Sequence, residues 1–137
     1  MVNGLVIATD IEVVKATFAA FAARDLDAVL ALAAPDVEVY APPDSPNPGR
    51  YVGYEGYLRW SEQWLEAWET FTLDVLDIEA VDDRHVVAVV RQNGRGRLSG
   101  LEVTMAGAHL YEIDADGKIV RFQLYDERER ALENVRP

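Results

Sequence analysis

The chain has 137 residues, the size of one ordinary domain, and 50% of them are hydrophobic, which favours a folded globular protein over a disordered one. Its formal net charge of -11 repels phosphate backbones and anionic lipids, so we expect neither nucleic acid nor a membrane as a partner. The sequence contains no cysteine, which excludes disulfides and thiolate catalysis.

The segment from Met1 to Ala8 lacks the basic start and long apolar stretch of a secretory signal, and we expect a cytoplasmic protein. No uncharged apolar run approaches the ~20 residues that cross a bilayer. Thr9-Asp10-Ile11-Glu12 then predicts a capping box at the start of a helix that ends near Ala23. Asp25 caps a second predicted helix, which Pro35 stops.

A short alternating strand is predicted from Val37 to Tyr40, followed by an irregular, proline-rich loop from Ala41 to Arg50. Such a loop is either functional or a rigid cover. A third helix is predicted from about Tyr54 to Glu69. All three tryptophans are assigned to one face of it, a stripe that suits a core and is large enough to wall a cavity as well.

The remaining sequence predicts an antiparallel meander of four strands, joined in part by a tight turn at Asp114-Ala115-Asp116-Gly117. A last helix is predicted from about Asp126 to Asn134. Helices segregated from an antiparallel sheet make an α+β domain. The four predicted strands run from Phe71 to Val81, Val86 to Arg97, Leu101 to Ile113 and Lys118 to Tyr125.

Alternation along the last two strands places His109 on the face of the sheet that packs against the helices. Met105 shares that face on the same strand, and Phe122 and Leu124 share it on the next. Regular pairing across the turn sets His109 opposite Phe122 and Met105 opposite Asp126. His109 and Asp126 would then lie roughly 13 Å apart, too far for a direct hydrogen bond.

The second strand of the meander, around Val86 to Val90, is apolar on both faces. If one face packs in the core, the other needs a second cover. A partner subunit would supply it, which predicts a homodimer through the outer face of the sheet. Ordinary β-branched strand composition explains the same residues without a partner.

Several short motifs, in this order and spacing, resemble the SnoaL-like, nuclear transport factor 2-like superfamily of polyketide cyclases, ketosteroid isomerases, scytalone dehydratases and limonene epoxide hydrolases. The resemblance covers about residues 10–132 and implies a single SnoaL-like domain over 1–137. It also implies a cone-shaped, cystatin-like α+β fold, with N-terminal helices packed on a curved, mainly antiparallel sheet around an internal pocket. The motifs are Arg24-Asp25-Leu26-Asp27, Pro35-Asp36-Val37, Gly53, Asp116-Gly117-Lys118-Ile119-Val120 and Leu124-Tyr125-Asp126.

The residues of the characterised relatives carry over incompletely. Ketosteroid isomerases use a carboxylate base at the end of the first strand, where this chain has Tyr40, and their oxyanion donor corresponds to His109. Asp126 matches an acid of the epoxide hydrolases, whose arginine and aspartate are replaced by Ala88 and Val90. The cyclases pair a carboxylate with a nearby histidine, which His109 matches loosely. The resemblance therefore implies the fold and leaves the reaction open.

Three residues are the candidates for catalysis. His109 is the first, because imidazole exchanges protons near neutral pH; the alternative is a buried, hydrogen-bonded histidine. Asp126 is either an acid or base at the end of the pocket or the cap of the last helix. Tyr40 either donates to a ligand oxygen or closes the pocket mouth. Glu38 would have a raised pKa if it were buried, and would otherwise be solvated.

The two histidines, His85 and His109, lack the carboxylate cluster of a metal site, and the glycines between Asn93 and Arg97 lie in a hairpin whose arginines suit a solvated turn. We expect no metal and no cofactor. The sequence predicts a protein that binds a small apolar molecule. It is either an acid/base enzyme (an isomerase, cyclase, dehydratase or hydrolase) or a non-catalytic ligand-binding or dimerisation module. The predicted lining residues are Phe18, Trp60, Trp64, Met105, Phe122 and Leu124.

Overall fold

A computed structural model describes residues 9–43, 45 and 47–135, which form four helices and one six-stranded sheet. The prediction about Met1 to Ala8 lies outside these residues. The helices are α1 (Asp10–Ala22), α2 (Leu26–Ala31), α3 (Gly53–Glu66) and α4 (Arg128–Glu133), and the strands are β1 (Ala33–Ala41), β2 (Gly49–Val52), β3 (Trp68–Ala80), β4 (His85–Gly96), β5 (Glu102–Ile113) and β6 (Ile119–Tyr125).

The strand order in the sheet is β2-β1-β6-β5-β4-β3. Neighbouring strands run antiparallel except β1 and β6, which are parallel. Helices α1, α2 and α3 pack against the inner face of the curved sheet and α4 against its outer face, so the predicted cone-shaped, cystatin-like α+β fold is confirmed.

The predicted starts of the first two helices are confirmed. The amide of Glu12 donates to the Thr9 hydroxyl at 3.1 Å, and the amide of Thr9 donates to the Glu12 carboxylate at 3.2 Å. This reciprocal pairing satisfies amides that have no partner inside the helix. Asp25 caps α2 by accepting from the amide of Ala28 at 3.2 Å.

The first strand is longer than predicted, and a further strand was missed. β1 begins at Ala33 and passes through Pro35, where its register with β6 is irregular, so the missing proline amide costs no ladder bond. β2 then pairs antiparallel with β1. The predicted loop is therefore shorter than Ala41 to Arg50, and residues 44 and 46 of it lie outside the described residues.

Trp68 is not helical, in contrast to the prediction, because α3 ends at Glu66 and Trp68 opens β3. Its indole packs over Gly94, where an added Cβ would lie 2.7 Å from Trp68 Cε3. Gly94 is thus a strand residue of β4 and not part of a turn. Arg97 donates to the carbonyls of Glu66 and Trp68, both at 3.0 Å, so it is more than a solvated turn residue.

The predicted register between β5 and β6 is wrong by two residues. His109 lies opposite Leu124, and Tyr111 opposite Phe122. An irregularity beside Ile113, close to the turn, shifts the pairing. β6 ends at Tyr125, which pairs with Ala108, so Asp126 does not lie opposite Met105.

The two faces of β4 pack in different clusters. Val86, Ala88 and Val90 belong to the main core under the helices. Val87, on the outer face, packs with other buried apolar residues that include Ala131 of α4. The C-terminal helix therefore covers this part of the outer face within the chain, and the observation that predicted a dimer has an explanation without a partner.

Candidate functional site

Two adjoining cavities lie on the helix side and at the open end of the sheet. An interior cavity of about 30 Å³ has room for about one water molecule or two. A cleft of about 510 Å³ opens where β1 and β6 end, and its volume is typical of small-molecule sites. Four residues line both spaces and so form the wall between them: Trp64, Gln92, His109 and Leu124.

The interior cavity is walled mainly by aromatic rings from the first and third helices and from the sheet. Trp60 packs edge-on against Phe122 with ring centroids 5.4 Å apart, and it stacks on Trp64 at 6.1 Å. Of the predicted lining residues, Phe18, Trp60, Trp64, Phe122 and Leu124 line this cavity, and Met105 lines the cleft. The interior cavity is too small for an organic ligand, so a small-molecule ligand would lie in the cleft.

His109 lies on the inner face of β5 and is only 5% exposed. Its ring stacks on Phe18 at 5.8 Å and meets the edge of Phe122 at 5.1 Å. Burial in this apolar surrounding lowers the pKa of His109 to about 3, because the imidazolium would lose its hydration. The ring is therefore neutral at pH 7, so one of its nitrogens can donate a hydrogen bond and the other can accept one.

Gln92 is the polar neighbour of His109, and the sequence analysis missed it. Its amide nitrogen lies 3.4 Å from His109 Nε2. Gln92 Oε1 and His109 Nδ1 are both buried and have no hydrogen-bond partner among the described residues. A signal was present in the sequence, because Gln92 continues the inward alternation of Val86, Ala88 and Val90 with a polar side chain.

Two buried tyrosines are further polar residues of the interior. Tyr57 of α3 and Tyr111 of β5 both line the cavity, and Tyr111 stacks on Phe122 at 4.8 Å. Burial raises the pKa of both phenols, so both stay protonated at neutral pH. The cavity is therefore uncharged at its walls.

Tyr40 lies on the outer face of β1, because it alternates with the core residue Val39. It lines the mouth of the cleft, but its hydroxyl donates to Glu38 at 2.7 Å and is not brought to His109. Two contacts lower the pKa of Glu38: the hydrogen bond from Tyr40 has the larger effect, and the contact with Arg50 has the next largest. Glu38 is only partly buried, so the condition for a raised pKa is not met, and a hydroxyl and a guanidinium stabilise its carboxylate.

Asp126 also lies at the mouth of the cleft. Its side chain is 64% exposed and forms an ion pair with Arg130, with Nε 3.3 Å from the carboxylate. α4 begins at Arg128 with Glu127 in the N-cap position, so the alternative that Asp126 caps the last helix is wrong. The structure therefore separates the predicted catalytic set, with His109 at the base of the cleft and Tyr40 and Asp126 at its rim.

Among residues 9–43, 45 and 47–135, no three potential metal-ligating side chains are grouped together. His85 Nδ1 instead pairs with Asp82 at 2.9 Å, away from the cleft. Within the same residues, no helix has the length and apolar character needed to span a membrane.

The sequence profile described as a SnoaL-like domain matches residues 14–122. The chain belongs to this family. No curated protein matches the sequence.

Solved structures similar to this SnoaL-like protein cover nearly all of its length. A nuclear transport factor 2-like protein from Burkholderia thailandensis shares 25% identity with a TM-score of 0.80, covering 96% of this chain and 100% of its own. TerC, co-crystallised with polyporic acid, shares 22% identity with a TM-score of 0.75, covering 91% and 95%. A Mycobacterium tuberculosis protein in complex with estradiol-17beta-hemisuccinate shares 15% identity with a TM-score of 0.72, covering 85% and 93%.

Proposed function

We propose that this SnoaL-like protein binds a small, largely apolar molecule in the cleft, with Gln92 and His109 as the polar groups at its inner end. The observation that carries the proposal is the cleft of about 510 Å³ whose base is shared by Trp64, Gln92, His109 and Leu124. An apolar space with a few convergent polar groups is the usual form of a small-molecule site.

The similar structures support the same function. TerC and the Mycobacterium tuberculosis protein were each crystallised with a small organic molecule. Their similarity to this chain lies in the fold, so they support binding of a ligand of that general size and leave its identity open.

Filling the cleft tests the proposal directly. Met105→Trp places an indole in the cleft, and we expect at least tenfold weaker binding of uncharged aromatic probes by calorimetry, because the probe and the indole compete for space. Val103→Trp is the matched control, since Val103 shares the face of Met105 on β5 but lines neither cavity. Equal affinity of the two variants would contradict binding in the cleft.

A second candidate function is acid/base catalysis, favoured by a histidine at the inner end of the cleft. His109 would transfer the proton, while Tyr40 and Asp126 act on substrate groups at the rim. Ketones, epoxides and lactones incubated with the protein and followed by mass spectrometry test this function. Turnover that His109→Ala removes, with binding partly retained, supports an enzyme. If every candidate substrate is recovered unchanged, acid/base catalysis is contradicted and only the binding function remains.

A homodimer through the outer face of the sheet is also part of the proposal. Beyond α4, Arg91 lies 4.0 Å from Asp74, and Thr104 donates to Asn93 at 2.9 Å. A two-fold dimer interface that is partly polar would cover such pairs. Light scattering should give twice the chain mass, and a monomer at every concentration would contradict it.

A further inference from the structure

Gln92 and His109 together hold two atoms without a hydrogen-bond partner among the described residues, one a donor and the other an acceptor. With the amide nitrogen of Gln92 facing His109 Nε2, the amide N–H donates to Nε2, so Nε2 carries no proton and the imidazole proton lies on Nδ1. Within the described part of the chain, Nδ1–H is then a donor without a partner and Gln92 Oε1 an acceptor without one.

Turning the amide over does not change this count. Gln92 Oε1 would then accept from Nε2–H of His109, leaving Nδ1 as the free acceptor and the amide nitrogen as the free donor. The pair therefore requires a partner of mixed character in either orientation, and this conclusion is independent of how the amide and the tautomer are assigned.

The surroundings restrict that partner further. Both side chains are buried, Gln92 at 7% and His109 at 5% exposure, and both line the cleft as well as the interior cavity. Buried polar atoms are nearly always paired, because leaving one unpaired is unfavourable. The charged residues that line the cleft among the described residues, Asp126 and Arg130, are exposed at its rim, so an ionised group at the buried pair would lose its hydration without a charged partner beside it.

We propose that the ligand carries an uncharged hydroxyl, of the phenol or enol type, that donates to one member of the Gln92–His109 pair and accepts from the other. This inference rests on the proposed function, since it assumes that the cleft binds a small, largely apolar molecule. An ether, a ketone and a carboxylate offer only acceptors, and an ammonium group offers only donors, so each leaves one atom of the pair unsatisfied.

Three probes of nearly equal shape test the proposal at pH 7: 2-naphthol, 2-methoxynaphthalene and 2-methylnaphthalene, titrated by calorimetry. We expect 2-naphthol to bind about tenfold tighter than the other two, because only it satisfies both atoms. Gln92→Met removes both polar atoms of the amide at nearly constant shape and should bring the affinities of 2-naphthol and 2-methoxynaphthalene together, because both can still accept from His109. Asn93→Leu, on the outer face of the same strand, should retain the preference.

The outcomes separate the two proposals. If all three probes bind with equal affinity, the hydroxyl inference is wrong while the apolar binding function stands. If none binds, both are wrong. Thermal unfolding of each variant verifies its fold, and if Gln92→Met does not fold, the three-probe comparison on the unaltered protein still decides the question.

Discussion

Replacing His109 with phenylalanine should make the stability of the protein less sensitive to acid. The ring of His109 sits in an aromatic cluster with Phe18 and Phe122, so a phenyl group retains most of its packing. The substitution replaces the titratable imidazole with a ring that does not bind a proton. The comparison therefore isolates the free energy of keeping an imidazole neutral inside the protein.

The magnitude follows from the pKa of His109, which burial lowers from 6.5 to about 3. Because the folded-state pKa lies below the unfolded one, the unfolded chain binds the proton first as the pH falls. The contribution of the neutral imidazole to stability is fully present above pH 6.5. As the pH falls from 6.5 to about 3, the unfolding free energy decreases by about 1.4 kcal/mol per pH unit. Between about pH 7.5 and pH 4.5 the loss amounts to about 2 to 3 kcal/mol.

Urea unfolding at several pH values, on the unaltered protein and on His109→Phe, measures this difference. The carboxylates whose pKa values are lowered, Glu38 and Asp82, are present in both proteins and cancel in the difference. We expect the difference in unfolding free energy to shift by about 2 to 3 kcal/mol in favour of the variant on acidification. A pH-independent difference would refute the assignment of a buried, neutral imidazole.

Two further predictions concern packing and capping. Gly94→Ala should cost about 1–3 kcal/mol in unfolding free energy, because its Cβ would lie 2.7 Å from Trp68 Cε3; in the Trp68→Leu background the added cost should be smaller, and equal costs would argue against this contact. Thr9→Ala should cost about 0.5–2 kcal/mol through loss of the capping box with Glu12, measured by urea unfolding, and an unchanged stability would contradict that role.

The parts of the fold that follow local rules were predictable from the sequence. The helix starts at Thr9 and Asp25 rest on side chains that bind amides of the next turn, and the inward direction of His109 rests on strand alternation. Such features depend on a few neighbouring residues, so a single sequence carries enough information to place them.

The features that the sequence analysis missed depend on contacts between distant segments. β2 exists because it pairs with β1, and Trp68 leaves the helical pattern because its indole packs on Gly94. Likewise, the irregularity beside Ile113 moves His109 from Phe122 to Leu124, and local alternation does not reveal it.

The candidate site shows the same division. The aromatic wall was predictable because Trp60 and Trp64 lie one turn apart on α3. Gln92 was missed because a polar residue within an apolar strand has meaning only when its partner is known, and that partner, His109, is 17 residues away in sequence. Tyr40 and His109 are separated because Tyr40 lies on the outer face of the sheet, where it alternates with the core residue Val39, and His109 lies on the inner face.

The nitrogen chemical shifts of the histidine rings, measured with and without 2-naphthol, test the central claim most directly. His85 pairs with Asp82 outside the cleft and serves as the internal reference. We predict that His109 stays neutral from about pH 5 to pH 8 and that its Nδ1 resonance shifts when 2-naphthol binds. The resonances of His85 should not respond to the probe. A His109 ring that titrates near its ordinary pKa, or that does not respond to a bound probe, would contradict the account.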